Sequence, residues 1–180
     1  MPAIFTLGHS TRPWPEFLAL LQAHKVEALW DVRTVPRSRH NPQFNTDTLT
    51  QLLPQQGIAY SHVAGLGGFR KTSDDSPNKG WHNASFRGYA DYMQTPEFAD
   101  NLARLIKQGA KQRIALMCAE AVPWRCHRSL IADALIAHGI VAEEIISTER
   151  TQPHQLTSFA VINGYTVSYP TDGSEANPLA

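Results

Sequence analysis

Five short apolar runs, each separated from the next by a stretch with helical spacing, constrain this chain more than any other feature. The runs are Ile4-Phe-Thr-Leu7, Val26-Glu-Ala-Leu-Trp30, Ile58-Ala-Tyr-Ser-His-Val63, residues 113–117 and residues 140–146. Between them Phe17, Leu18, Leu20 and Leu21 repeat at the period of a helix, as do Leu49, Leu52 and Leu53, and Phe98, Leu102, Leu105 and Ile106. Pro13 and Pro15 suit a first helical turn, Asn45-Thr-Asp47 reads as a cap, and Gly57 and Gly139 read as stops. Residues 86–93 and 126–138 complete the expected helices. Strands alternating with helices make a mostly parallel sheet covered on both faces. The expected fold is therefore α/β: one domain over residues 1–170, a three-layer α/β/α sandwich with a Rossmann-like five-stranded sheet. Residues 171–180 read as a flexible tail.

With strand order 3-2-1-4-5, the chain reverses direction between strands one and four, and open α/β sheets bind ligands in such a crevice. Three polar segments follow the ends of strands there: His9-Ser10, Asp31-Val-Arg33, and Cys118-Ala-Glu120-Ala-Val-Pro123-Trp-Arg125-Cys126-His127-Arg128. The last contains both cysteines of the chain. Arg33, Arg37, Arg39, Arg125 and Arg128 lie on segments near the crevice. Guanidiniums stay charged and grip phosphate or carboxylate bidentately, so an anionic ligand is one reading. The other is that Arg33 pairs with Asp31 or Glu120 and only braces strand ends. Cys126 in the first turn of a helix, beside His127, would favour a thiolate nucleophile, with His9 or His127 as base and Asp31 or Glu120 to orient it. Buried packing is the plainer fate of either cysteine, above all Cys118.

Several uses of these residues are disfavoured by spacing. A cysteine phosphatase places Cys-x5-Arg after its strand, and here the required position is Trp124, with Arg125 one place late. A zinc site of Cys118, Cys126, His127 and His9 lacks the short ligand pairs of structural sites, and neighbours on a helix point apart. A reversible Cys118–Cys126 disulfide needs the loop to fold back. No metal or cofactor is assigned. Residues 64–85 read as a long loop of about twenty residues, functional or mobile by its length. Its Phe69, Arg70, Lys71, Lys79, Trp81 and His82, with Phe86, Arg87, Trp14 and Trp124 nearby, can stack on bases and meet phosphates, or simply anchor the loop.

Composition sets outer bounds. The formal net charge is zero, so no global basic field draws the chain to nucleic acid, although residues 143–180 carry five acids against one base. No run approaches the roughly 20 apolar residues of a membrane span. No signal core opens the chain, so a cytoplasmic location with reduced cysteines is expected.

Taken together, Thr6-Leu-Gly8-His9-Ser10, Asp31-Val-Arg33-x-x-Pro36-x-Ser38, Leu66-Gly67-Gly68, Tyr89-Ala-x-Tyr92-Met93 and Cys118-Ala-Glu120-x-x-Pro123-x-x-Cys126-His127-Arg128 resemble the bacterial and archaeal proteins grouped as domain of unknown function 488. The likeness spans residues 6–128. It implies a compact α/β domain with a shared polar site at His9, Ser10, Asp31, Arg33, Pro36, Ser38, Glu120, Cys126, His127 and Arg128, and it assigns no reaction. The family often has a histidine in its last strand, where this chain has Glu143-Glu144. Three functions follow as expectations. The first is an enzyme on a phosphorylated small molecule, nucleotide or nucleic-acid fragment: Ser10, Arg33, Arg37, Ser38 and Arg128 hold the anion, and His9, Asp31, Glu120, Cys126 and His127 do the chemistry. The second is a non-catalytic nucleotide or nucleic-acid binder. The third is a redox or metal sensor built on Cys118 and Cys126. Oligomeric state is not fixed by the sequence.

Overall fold

A computed structural model describes residues 3–171. The tail expected at 171–180 therefore lies outside the described residues, apart from Thr171. Thirteen elements follow in order: β1 (Ile4–Gly8), α1 (Trp14–Ala23), β2 (Ala28–Asp31), α2 (Thr46–Gln55), β3 (Ala59–His62), α3 (Ala84–Tyr92), α4 (Pro96–Gly109), β4 (Ile114–Cys118), α5 (Arg128–Ala137), β5 (Glu143–Ile145), β6 (Thr151–Pro153), β7 (Val161–Asn163) and β8 (Thr166–Ser168). Short 3-10 turns cover Pro42–Phe44, Ala64–Leu66 and Pro123–Arg125. No helix among the described residues is long and apolar enough to cross a membrane.

The central sheet has six strands in the order β3-β2-β4-β1-β5-β6, parallel except for β6 at its edge, and β7 and β8 form a separate hairpin. This corrects the expected order 3-2-1-4-5 and the count of five. β4 lies between β2 and β1, with Ala28 and Ile4 both in register with Ile114. β1 and β4 are each buried along their whole length, and two such uniformly buried strands carry nothing in their sequence that says which is more central. They remain neighbours, so the crevice between them survives the correction.

Side chains alternate across the sheet as pleating requires. Along β4, Ile114, Leu116 and Cys118 join a core with Leu102, Leu105, Leu130 and Leu135. Ala115 and Met117 join the opposite core with Phe17, Leu21, Leu49 and Leu53. Helices α1 and α2 thus cover one face, and α4 and α5 the other. The chain leaves β1 toward the first face and β4 toward the second, and this divergence opens the crevice at their carboxyl ends.

The helix starts show which caps operate. Thr95 accepts a hydrogen bond from the Phe98 N–H at the start of α4, and Asn83 accepts from Ser85 and Phe86 at the start of α3. Asn45 stands at the N-cap of α2, but its side chain accepts from the Ser38 N–H at 2.7 Å instead, which ties the 36–44 connection to the helix. Residues 67–83 hold a defined course. Asp91 on α3 accepts from Thr72, Ser73, Ser76 and Asn78, and Trp81 packs on Phe86, Phe159 and Tyr169.

Candidate functional site

The ends of β1, β2 and β4 open into a cleft of about 570 Å³. His9, Ser10, Arg33, Arg37, Ser38, Cys118, Glu120, Arg125, Cys126 and His127 all line it. Topology therefore brings together the three segments singled out in the sequence. Gly8 makes this possible. A Cβ at its position would fall on the Glu120 carbonyl oxygen, so only glycine lets the loop after β4 pass over the end of β1. The His9 and Ser10 N–H groups then donate to the carbonyls of Cys118 and Ala119, locking the two loops together. Ser10 adopts the left-handed region, with φ of 52°, at this corner.

Two arginines predicted to hold an anion are engaged within the protein. Arg33 donates from Nε and Nη2 to the carboxylate of Asp31 at 2.8 and 2.6 Å, and Nη2 also donates to the Phe44 carbonyl. Tyr60 donates to the same carboxylate at 2.6 Å. Burial and that acceptor push the Tyr60 hydroxyl well above its usual range. Asp31 thus braces β2 against β3 and fixes Arg33. Arg128 is fully buried, and all five of its N–H donors are matched. They go to Glu144 Oε1 (3.1 Å) and Oε2 (2.9 Å), Cys118 Sγ (2.6 Å), and the carbonyls of Glu120 and Ala121. A guanidinium with no donor left supports the cleft floor and cannot also bind an anion. Thr6 adds a hydroxyl donor to Glu144 Oε1. Glu144 is the central residue that sequence reasoning did not assign. Its signal was the pair of adjacent carboxylates Glu143-Glu144 inside the run 140–146: neighbours on a strand point to opposite faces, so one is turned into the fold and needs a cation partner.

His9 has both ring nitrogens occupied. Nδ1–H donates to the Ser10 carbonyl at 2.7 Å, which leaves Nε2 to accept from Arg33 at 3.3 Å. Its ring stacks on Phe44. Burial, with Arg33 nearby, lowers its pKa to about 4.

His127 is placed differently. Its Nε2–H donates to the Val32 carbonyl at 2.7 Å, which turns Nδ1 toward Cys126, 3.7 Å from the sulfur. Burial lowers the ring's pKa to about 4 against the pull of the Val32 and Leu66 carbonyls, which favours the neutral imidazole. The contact exists because Cys126 is not in the first helical turn, as expected, but in extended backbone just before α5, with φ −136° and ψ 143°. Adjacent residues across that bend face each other, whereas two on a helix would point apart. The Arg128 N–H at the start of α5 points at Cys126 Sγ from 3.4 Å. Gly68 packs flat on the imidazole, and a Cβ there would lie 2.6 Å from Nδ1.

Cys118 and Cys126 are paired as a disulfide, their Cα atoms 7.2 Å apart. This is the pairing that the sequence allowed if the loop folds back, in place of the two reduced thiols expected of a cytoplasmic location. The cause is local: residues 119–125 loop out under the hold of Arg128 on the Glu120 and Ala121 carbonyls, which returns Cys126 to the end of β4. Among the described residues no group of three or more His, Cys, Asp or Glu side chains is arranged to hold a metal ion.

The cations that face the cleft without an ion pair among the described residues are Arg37 and Arg125, both exposed. Arg39 is exposed and does not line the cleft. Glu120 contributes only its backbone to the Arg128 network, and its carboxylate is the one acidic group on the cleft wall among the described residues. Over residues 13–135 the chain matches the family model described as domain of unknown function DUF488. That span contains Asp31–Arg33 and Cys118–Arg128 and starts after His9-Ser10. No curated protein and no solved structure matches the chain.

Proposed function

The chain belongs to the family of domain of unknown function DUF488, and from the geometry of its cleft we propose that it is a thiol enzyme acting on an anionic substrate. The observation that carries this reading is the row Cys126 Sγ, His127 Nδ1, His127 Nε2–H, Val32 carbonyl. It has the three parts an activated nucleophile needs: the attacking atom, a base within reach, and a group that fixes the base's tautomer. The α5 N–H aimed at Cys126 favours negative charge on that sulfur. In the reduced protein, Cys126 gives its proton to His127 Nδ1 and bonds to the electrophilic carbon or phosphorus of the substrate. The leaving group departs with its bonding electrons and takes the proton back from His127. Water, giving a proton to Glu120, then attacks the same carbon or phosphorus, and the Cys126 sulfur leaves with its bonding electrons and regains a proton, which frees the product. Arg37 and Arg125, with the hydroxyls of Ser10 and Ser38, hold the anion. His9, Asp31, Arg33 and Arg128 act as positioning residues.

The joined sulfurs favour a second use of the same pair, as a redox sensor. A peroxide would take two electrons from the two thiols, leaving a disulfide, one water, an alcohol or second water, and a Cys126 unable to attack. A cellular dithiol would reverse this and become a disulfide itself.

The enzyme reading is tested without knowing the substrate. Iodoacetate and iodoacetamide alkylate the same sulfur, but only iodoacetate is anionic. For the reduced protein, the ratio of their rates at Cys126 is expected to exceed that of free cysteine about tenfold, and Arg37→Ala with Arg125→Ala should return it to the free value. A ratio equal to free cysteine, unmoved by the arginine changes, would contradict an anion site at this thiol.

A further inference from the structure

The rim of the cleft exposes large apolar side chains that the chemistry above does not use. Phe69 is 75% exposed, Trp124 69% and Val35 54%. Phe69 and Val35 line the cleft, and Trp124 precedes Arg125, which also lines it. These side chains are not on stray loops. The Gly68 and Phe69 N–H groups both donate to Thr34 Oγ1, at 2.8 and 2.9 Å, which fastens the 67–69 turn to the segment carrying Val35. Gly68 lies against the His127 ring, and its neighbour Phe69 lines the same cleft as Cys126 and His127. Trp124 lies in the 3-10 turn two residues before Cys126. Two exposed aromatic rings thus belong to segments of one site: Phe69 lines the cleft together with Arg37, and Trp124 is next in sequence to Arg125.

Exposed aromatic side chains grouped at the rim of a cleft are a mark of a ligand-binding site. Paired with guanidiniums, it fits a ligand that is flat and apolar at one end and anionic at the other. We infer that this rim binds a nucleobase joined to a phosphate, with the base on Phe69 or Trp124 and the phosphate on Arg37 and Arg125. The inference rests on the proposed anion site and names the class of its ligand. A carboxylate metabolite or inorganic phosphate would leave both rings without a partner. A duplex is a poor fit, because its bases are already stacked and only unpaired ones offer their faces. The zero net charge is compatible with this, since the charge that matters is two local arginines.

The base–phosphate unit can come from a free nucleotide or from a single strand, and the test separates them. Binding of fluorescently labelled ten-residue single-stranded DNA is measured by anisotropy at 50 mM and 200 mM NaCl, beside an abasic strand of equal length and, by titration calorimetry, a nucleoside monophosphate. Phe69→Ala and Trp124→Ala are each expected to weaken the strand about tenfold, the range of one lost stacking partner. The abasic strand should bind wild type as weakly as the normal strand binds the double aromatic variant. Arg37→Ala with Arg125→Ala should lower the salt dependence by about 1.4 in log–log slope. Monophosphate binding of similar strength to the strand's identifies a free nucleotide as the source, and much weaker binding identifies the strand; either outcome supports the base–phosphate class. Equal binding of normal and abasic strands, with loss only in the arginine variants, would overturn the inference and leave the anion site standing. Absence of binding by both strand and nucleotide would overturn the inference, while the iodoacetate ratio decides the anion site separately. A wild-type dimer by light scattering that Phe69→Ala and Trp124→Ala dissolve would also overturn it, because the rim would then be a self-contact. All the substituted side chains are exposed, so the variants are expected to fold.

Discussion

At the scale of single residues, the cleft depends on groups with no freedom left. Arg128 is the clearest, a buried cation with every donor matched and Glu144 as its counter-ion. Arg128→Met leaves the Glu144 carboxylate buried and unpaired, and is expected to cost about 3–5 kcal/mol in urea unfolding. Adding Glu144→Leu should recover much of that loss, since removing both charges restores a neutral core; a double variant as unstable as the single would mean that the pair is not what Arg128 supplies. Gly68 is the second such residue. Gly68→Ala places a methyl 2.6 Å from His127 Nδ1 and forces the ring or the loop aside. It should slow alkylation of reduced Cys126 while leaving the circular dichroism spectrum unchanged, and an unaltered rate would count against His127 as the base.

Elements set these residues in place, and here the sequence was legible to different depths. The five parallel strands and five helices followed from periodicity, and the fit of β4 into both cores matches its alternation. β6 and the β7–β8 hairpin did not stand out. They are three-residue strands with mostly exposed faces, too short for a period to register. The segments of the site were readable because each follows a strand end. Their internal pairing was not: whether Arg33 faces Asp31 or a ligand turns on side-chain geometry that spacing does not encode. The bend that brings Cys126 to His127 was hidden for the same reason. The 72–80 stretch gives an element-scale prediction. Burial works against the Asp91 carboxylate, but hydrogen bonds from Ser76, Asn78, Ser73 and Thr72 outweigh it and hold the group below its usual range. Asp91→Ala removes the acceptor that gathers this loop, and limited proteolysis should then cut within 72–80 several-fold faster with the helices intact. Unchanged cleavage would mean that Trp81 packing alone fixes the loop.

For the whole molecule, the two lowered histidines link stability to pH. His9 and His127 titrate near 4 when folded and near 6.5 when unfolded. Their neutral forms are what the fold holds, so the contribution is fully present above pH 6.5 and is lost as pH falls toward 4. The urea midpoint should already drop between pH 6.5 and 5.5, before most carboxylates titrate, and His9→Asn or His127→Asn should each flatten that slope. A midpoint flat across this window would show that the rings are not held neutral.

The central claim is that Cys126 is a nucleophile served by His127, and one measurement addresses it most directly: the rate of Cys126 alkylation by iodoacetamide in reduced Cys118→Ser protein, followed by mass spectrometry from pH 5 to 9, with and without His127→Asn. The expected result is a Cys126 that at pH 7 reacts at least tenfold faster than the same thiol in urea-unfolded protein, with that advantage lost in the His127→Asn variant while the fold persists. A Cys126 that reacts more slowly folded than unfolded, at a rate indifferent to His127, would make it a packing residue and contradict the account.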